Sequence, residues 1–404
     1  MSQRSGSVLG GAVALVSGQA VQAAAAFAAN LFLAHRLDPG SFGHFAVVLA
    51  GTTLTVSFTT LRVEVLILRS GEDDHDRRLL LSSALWVETV LAGAVLAGWL
   101  AVGGLAHAPE IGLAVAMLAR HWLNTNRAFR DRRLHFPAVA LGEGIATLAS
   151  HALSVAAVMA GLGGNALYLR EIALSLLLAV VWGRFGVLSP LPFRRPRRAE
   201  MVGLLREVRA IWLDSLLDVG FLRITMLAVA ALAGEGAAGL FYQAQRLAVV
   251  PFQLLAPVVG RMASALLGAT EREARWALLT RMLRAVALPL AAAGLGALLL
   301  ADPVVPWLLG EPWRGAAGLL TAMAGMAACM SLFELLRSYG NVTGCLGAVL
   351  AGRMAQYGGV LLPVLVAPTL GSLALGLSLA YGLGTAVLFV RLRAGRPAAK
   401  PSRK

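Results

Sequence analysis

Two stretches of this chain carry no Asp, Glu, Lys or Arg: residues 5–35 and residues 354–390. About 20 apolar residues suffice for a helix to cross a bilayer, so the first holds one span and the second holds two spans and a turn. The composition agrees. Of the 404 residues only 14% are charged, against about 25% in soluble domains. Another 58% are hydrophobic. Charges this sparse cannot cover a water-facing surface, and the expected class is an all-α polytopic membrane protein.

Apolar segments predict twelve spans, at roughly 8–33, 43–68, 79–103, 109–128, 135–161, 166–184, 210–233, 237–261, 282–309, 315–336, 343–367 and 369–391. Gly and Pro inside them do not count against helix, because membrane neighbours re-satisfy freed backbone groups. The Ala23–Ala26 run belongs to a retained first span rather than a signal-peptide cleavage site, since the apolar stretch continues to Leu33 and carries Gln19, Gln22 and Asn30.

Arginine placement sets the orientation. Even-numbered loops are basic: Arg69, Arg77 and Arg78; Arg120 to Arg133; Arg184 to Arg209; Arg261 to Arg284; Arg337; and the tail from Arg391 to Lys404. Odd loops hold only Arg36 and Arg314. Basic loops stay in the cytoplasm, so both termini are expected there, in a bacterial inner membrane. The same asymmetry accounts for most of the net charge of +14, and nucleic acid is not needed to explain it. The segment from Thr270 to Arg284 is expected as a cationic amphipathic helix on the inner surface.

A Pro/Arg-rich stretch from Ser189 to Arg198 divides the chain near its middle. The expected organisation is a six-helix lobe over 1–188, a cytoplasmic linker over 189–209, a second six-helix lobe over 210–393 and a basic tail over 394–404. A weak repeat supports it. When the entries to spans two and eight are aligned, Gly40 matches Gly236, Gly43 matches Gly239, and Phe45 matches Phe241. Parallel repeats of this kind build central cavities in transporters.

Charges at bilayer depth cost about 2.5–3.5 kcal/mol each on insertion scales, so they mark pairs or pathways. Arg246 lies deep in span eight, with Gln243 and Gln253 on its helical face and Pro251 following. Arg223 and Arg353 fall near mid-span, with Gln356 and Tyr357 on the face of Arg353. Asp214, Asp218 and Thr225 share a face of span seven. Arg62 joins Thr55 and Thr59 in one stripe while Glu64 points elsewhere. The candidate anion-binding cations are therefore Arg246, Arg62, Arg223 and Arg353, supported by Gln243, Gln253, Gln19 and Gln22. Glu64, Asp218 and Glu88 are candidates for ion coupling, and a paired structural role competes with that role for Glu88 and Glu143.

Catalytic signatures are missing. There is no GxxxxGK[ST], and both lysines sit in the tail, which excludes a nucleotide-hydrolysing P-loop. No GxSxG or HExxH is present. Cys329 and Cys345 stand alone, so neither a metal site nor a cofactor is expected. The outer loops are too short for the polar domain that a membrane polymerase or ligase needs. The expectation is a transporter rather than an enzyme.

Four segments carry a family resemblance. His35-Arg36-Leu37-Asp38-Pro39-Gly40-Ser41-Phe42-Gly43-His44-Phe45 resembles the entry to span two of polysaccharide (O-antigen-type) flippases. Thr60-Leu61-Arg62-Val63-Glu64 with Glu72-Asp73-Asp74 resembles the end of that span. Gly239-Leu240-Phe241-Tyr242-Gln243-Ala244-Gln245-Arg246-Leu247 with Pro251 is similar to their span eight, and Leu309 to Ala317 to the loop after span nine. The resemblance implies the multidrug/oligosaccharidyl-lipid/polysaccharide exporter superfamily. It further implies two six-helix lobes around a central cavity, and export of a polyprenyl-pyrophosphate-linked glycan to the outer leaflet by alternating access. Such glycans serve lipopolysaccharide O-antigen or exopolysaccharide assembly, with a polysaccharide polymerase as a possible partner. By resemblance Arg246 matches a cavity arginine, and Arg62 and Glu64 match a Leu-Arg-x-Glu pattern. The competing expectation is an ion-coupled exporter of small amphipathic molecules on the same fold.

Overall fold

The computed structural model describes residues 22–69, 75–131, 136–188, 190–257, 260 and 263–395. Among them there is no strand, and every long element is a helix. We label these α1 (22–36), α2 (Pro39–Thr59), α3 (Val63–Arg69), α4 (His75–Val102), α5 (Ala108–Asp131), α6 (Phe136–Met159) and α7 (Asn165–Arg184). Then follow α8 (Arg198–Pro257), α9 (Ala263–Ala269), α10 (Arg275–Leu309), α11 (Gly315–Ala322), α12 (Met326–Thr343), α13 (Leu346–Val366) and α14 (Leu370–Ala394). Nine described stretches are long and apolar enough to cross a membrane. One of them, Ile211–Leu255, is 45 residues long and holds two spans, and α1 and α5 lie where the first and fourth spans are expected. The protein is an all-α polytopic membrane protein.

Local chemistry explains several boundaries. Asp38 caps α2: its carboxylate accepts from the Ser41 hydroxyl at 2.6 Å and the Ser41 N–H at 3.0 Å, and Pro39 opens the first turn. The Ser41 hydroxyl, and then its N–H, hold the Asp38 carboxyl below its ordinary pKa. At the start of α8 Glu200 reaches back to the Arg197 N–H at 2.7 Å, as in a capping box. It is gripped by both terminal guanidinium nitrogens of Arg194, at 2.8 and 2.9 Å. The expected linker is therefore partly helical from Arg198. Its first half is stitched to α4 through Ser82 to the Pro192 carbonyl, the Arg194 N–H to Ser83, and Trp86 to the Leu191 carbonyl.

Three elements differ from expectation. Span two breaks after Thr59 and resumes as α3 at Val63. The 198–257 stretch is helical on both sides of a single kink at Gly234, whose φ of 81° and ψ of 176° lie outside the helical range. The segment from Thr270 to Arg284 is not a separate surface helix: from Arg275 it runs without interruption into a 35-residue helix ending at Leu309. At 1.5 Å per residue that helix is about 50 Å long, well beyond the roughly 30 Å hydrocarbon core, so its arginine-bearing end projects from the membrane.

The chain forms two compact units, Met1–Gly239 and Leu240–Lys404. In the first, Val63, Leu66 and Ile67 of α3 pack against Leu80, Leu81 and Ala84 of α4 and Leu204 and Val208 of α8. In the second, Phe333, Leu336 and Tyr339 of α12 join Leu279 and Val286 of α10 and Leu388 and Leu392 of α14. Glycines bring α13 and α14 together. A Cβ at Gly359 would lie 2.4 Å from the Ala380 Cα, and one at Gly384 would lie 2.9 Å from the Gly352 carbonyl oxygen. Helices gain little from hydrophobic burial against each other in lipid, so close backbone approach and polar contacts carry the specificity. The apolar residues left exposed, such as Val102, Leu288, Trp307 and Leu365, face the hydrocarbon.

Candidate functional site

The break in span two organises the arginine-rich end of the first unit. Thr60 to Arg62 leave the helix, and Arg62 takes a left-handed conformation with φ 57°. For a residue with a Cβ that conformation costs about 1–2 kcal/mol. The break frees backbone groups, and the Leu61 N–H donates to Glu88 Oε2 of α4 at 2.7 Å. The other carboxylate oxygen of Glu88 meets His121 Nε2 of α5 at 2.9 Å. Glu88 is almost fully buried. Its carboxylate thus closes a polar knot joining α2, α4 and α5.

The break also corrects the expected placement of Arg62 and Glu64. On a continuous helix they point apart; here the turn at Arg62 brings Nη1 to 3.2 Å from Glu64 Oε1. The Arg62 side chain remains 41% exposed.

Other charges in this unit pair across helices. Glu171 of α7 accepts from Arg120 of α5 at 2.8 Å and from Arg170 at 2.8 Å, while Ser175 bonds the Ala116 carbonyl. Arg127 pairs with Glu143 of α6 and lies over the Trp182 ring. His44 of α2 stands between two carboxylates: Nδ1 is 2.8 Å from Glu235 and Nε2 is 3.1 Å from Glu110. The sequence reading missed this cluster, although His44 and Glu235 both lie in the repeated segment. Asp218 and Arg223 are half-buried on the first arm of α8, and each has an interaction partner. Gln22 is half-buried on α1, its amide beside Gly144 of α6. Gln19, Glu72-Asp73-Asp74 and the tail from Arg396 lie outside the described residues.

In the second unit the two candidate arginines have opposite surroundings. Arg353 is fully buried. Nη2 donates to Glu334 at 3.2 Å, Nη1 donates to Gln356 at 3.2 Å, and the guanidinium stacks 4.4 Å from the Phe333 centroid. Glu334 is shared with Arg337 at 3.0 Å. Arg353 therefore ties α12 to α13 and presents no open face to a ligand, contrary to its expected place on a cavity wall. Arg246 is half-buried and its recorded partner is neutral: the Tyr242 hydroxyl at 3.4 Å, with the Tyr242 ring centroid at 5.6 Å. Among the described residues no carboxylate pairs with it. Gln243 is fully buried beside it, whereas Gln253, beyond Pro251, is exposed.

Comparison with solved structures finds the same fold in MATE family transporters. An inward-facing MATE family transporter of the MOP superfamily superposes with a TM-score of 0.64, at 16% identity over 95% of this chain and 97% of that one. A eukaryotic MATE transporter gives 0.57 at 12% identity over 96% and 94%. A Vibrio cholerae MATE transporter in a bent form gives 0.53 at 14% over 95% and 97%. The class is thus a polytopic helical protein of MATE-type fold. Residues 32–318 match the family model described as polysaccharide biosynthesis protein, and the chain belongs to that family. No curated protein matches it.

Proposed function

We propose that this protein moves a polyprenyl-pyrophosphate-linked oligosaccharide from the cytoplasmic to the outer leaflet of a bacterial inner membrane by alternating access. The observation that carries this reading is Arg246. Most other intramembrane arginines described above are matched to carboxylates, whereas among the described residues Arg246 meets a tyrosine and no carboxylate. An uncompensated cation at bilayer depth is costly unless a ligand supplies the anion. Pyrophosphate oxygens suit it, because a guanidinium binds them with paired, charge-assisted hydrogen bonds. Family membership points to polysaccharide assembly. The half-exposed Arg62 is the second candidate contact.

The arginine-rich helix ends are the cytoplasmic face in this proposal, with both termini inside, and residues 189–209 join lobes 1–188 and 210–393 around a central cavity. The repeat supports that division. A Cβ at Gly43 would lie 1.7 Å from the Glu235 carbonyl oxygen, and one at Gly239 would lie 1.8 Å from the Pro39 carbonyl oxygen. Each glycine thus meets the residue four before its counterpart, as at a two-fold crossing of repeated helices.

The test is translocation by protein reconstituted in vesicles, read with a lipid-linked oligosaccharide pyrophosphate. Arg246→Ala removes charge-assisted bonds of about 1.5–3 kcal/mol, a loss of roughly 10–150-fold in affinity. Arg246→Lys, which keeps charge without the fork, should lose less. Unchanged translocation in Arg246→Ala removes the role of this residue. The MATE-type fold favours a second reading, an ion-coupled exporter of small amphipathic molecules. Transport of such molecules without the glycan lipid would establish that reading instead.

A further inference from the structure

The His44 cluster has a property that its neighbours lack. Both imidazole nitrogens lie within hydrogen-bond distance of a carboxylate oxygen. A neutral imidazole has one N–H and one lone pair, so it satisfies one carboxylate and turns its lone pair on the other. Imidazolium satisfies both, and so does a neutral imidazole beside one protonated carboxyl. Either way the observed geometry holds one proton more than the state with neutral histidine and two carboxylates.

The three side chains also form a path inward. Glu235 is 55% exposed, His44 34% and Glu110 7%. The second oxygen of Glu110 is buried without a hydrogen-bond partner, as is the Tyr168 hydroxyl of α7. The Tyr168 ring lies 6.4 Å from the His44 ring. Of the charged groups near this turn, Asp38 serves the cap of α2, and Arg170 pairs with Glu171 and lies over the Phe45 ring. His44 pairs with both Glu110 and Glu235. It adjoins Gly43, where the backbones of α2 and α8 come closest.

We propose that His44, Glu110 and Glu235 form a proton-binding site that latches the arginine-poor ends of α2 and α5 to the kink of α8, and that loss of the proton lets α2 part from α8. The proposal rests on the transporter reading only for naming this end the outer face. The reason for release is local. Without the proton, a lone pair faces a carboxylate at about 3 Å, beside a contact with no slack. Acid on the outer side therefore favours closure, and alkali favours opening.

The test uses full-length protein in lipid nanodiscs, without any glycan. Spin labels at Arg36→Cys and Gly236→Cys, with Cys329 and Cys345 changed to Ala, report the separation of the turn before α2 from the kink of α8; both label positions are exposed. Distances are measured at about pH 6 and about pH 8.5, on either side of the unperturbed histidine value near 6.5. The short distance should dominate in acid, and a longer population should grow in alkali. The change in the closed-to-open ratio is at most about tenfold per pH unit for one proton. His44→Gln should give one distribution at both pH values. Glu235→Gln should stay closed at both, because its amide meets a neutral imidazole as either donor or acceptor. A native distribution that ignores pH overturns the proposal, as does an undiminished response in His44→Gln. A shift driven by sodium at fixed pH overturns it too, and marks a cation site instead. If the latch responds as expected but vesicles fail to move the glycan lipid, the substrate reading falls and the proton site stands.

Discussion

Glu88 tests whether a carboxylate inside the membrane is an architectural cap or an ion carrier. In Glu88→Ala the Leu61 N–H loses its acceptor at 2.7 Å, and His121 loses its partner at 2.9 Å, both in a buried setting. Each buried group left unsatisfied costs about 1–3 kcal/mol. Removing a buried carboxylate returns part of its own desolvation cost, so the expected net loss is about 2–5 kcal/mol. Glu88→Gln separates the roles. Its amide oxygen still accepts from Leu61, and its NH2 donates to a neutral His121 nitrogen, so the loss should stay within about 1 kcal/mol. The assay is the fraction of purified protein that remains monodisperse after a temperature ramp. Glu88→Ala should shift the midpoint down by several degrees, and Glu88→Gln by less than half as much. Native-like melting of Glu88→Ala would refute the knot. Equal losses in both variants would show that an ionised carboxylate, rather than the cap geometry, holds the break. Native melting of Glu88→Gln with abolished transport would return Glu88 to ion coupling.

Gly43→Ala and Gly239→Ala each force the α2–α8 backbones apart by more than 1 Å, at about 1–3 kcal/mol for overpacking. The same separation relieves both, so the double variant should cost clearly less than the sum of the single ones in thermal melts; strict additivity would refute a shared crossing. At the start of α8, Arg194, and then the Arg197 N–H, hold the Glu200 carboxyl down at about 2. Its folded-state value lies below its unfolded value near 4.3, so its contribution is complete above about pH 4.3 and disappears as pH falls through about 2. Glu200→Gln imitates the acid state at neutral pH, and amide exchange at residues 197–201 should quicken; unchanged exchange would show that the cap does not hold this end.

The spans were legible because the bilayer imposes one length and one chemistry on them. The start of α2 was legible too, since Asp38-Pro39 is a local capping signal. The break at Thr60 to Arg62 was not. No glycine or proline marks it, and its support comes from Glu88, 27 residues away. The continuity of α10 from Arg275 was hidden for the opposite reason: its arginines suggest an interface, whereas the helix simply outruns the bilayer.

The charged residues show where sequence counting fails. Four deep arginines outnumbering the deep carboxylates suggested a basic rather than an acidic cavity. The structure replaces that count with a residue of charge after pairing. Arg353 and Arg337 share Glu334, Arg127 pairs with Glu143, and Arg120 and Arg170 share Glu171. Those partners lie up to 51 residues away in sequence. In the His44 cluster the separation from Glu235 reaches 191 residues, beyond anything periodicity can register. Breaking such a pair strands a buried charge, whereas a ligand gains nothing by competing for it. Under the proposed function, binding falls to an arginine without a carboxylate partner among the described residues, and Arg246, beside Tyr242, meets that condition.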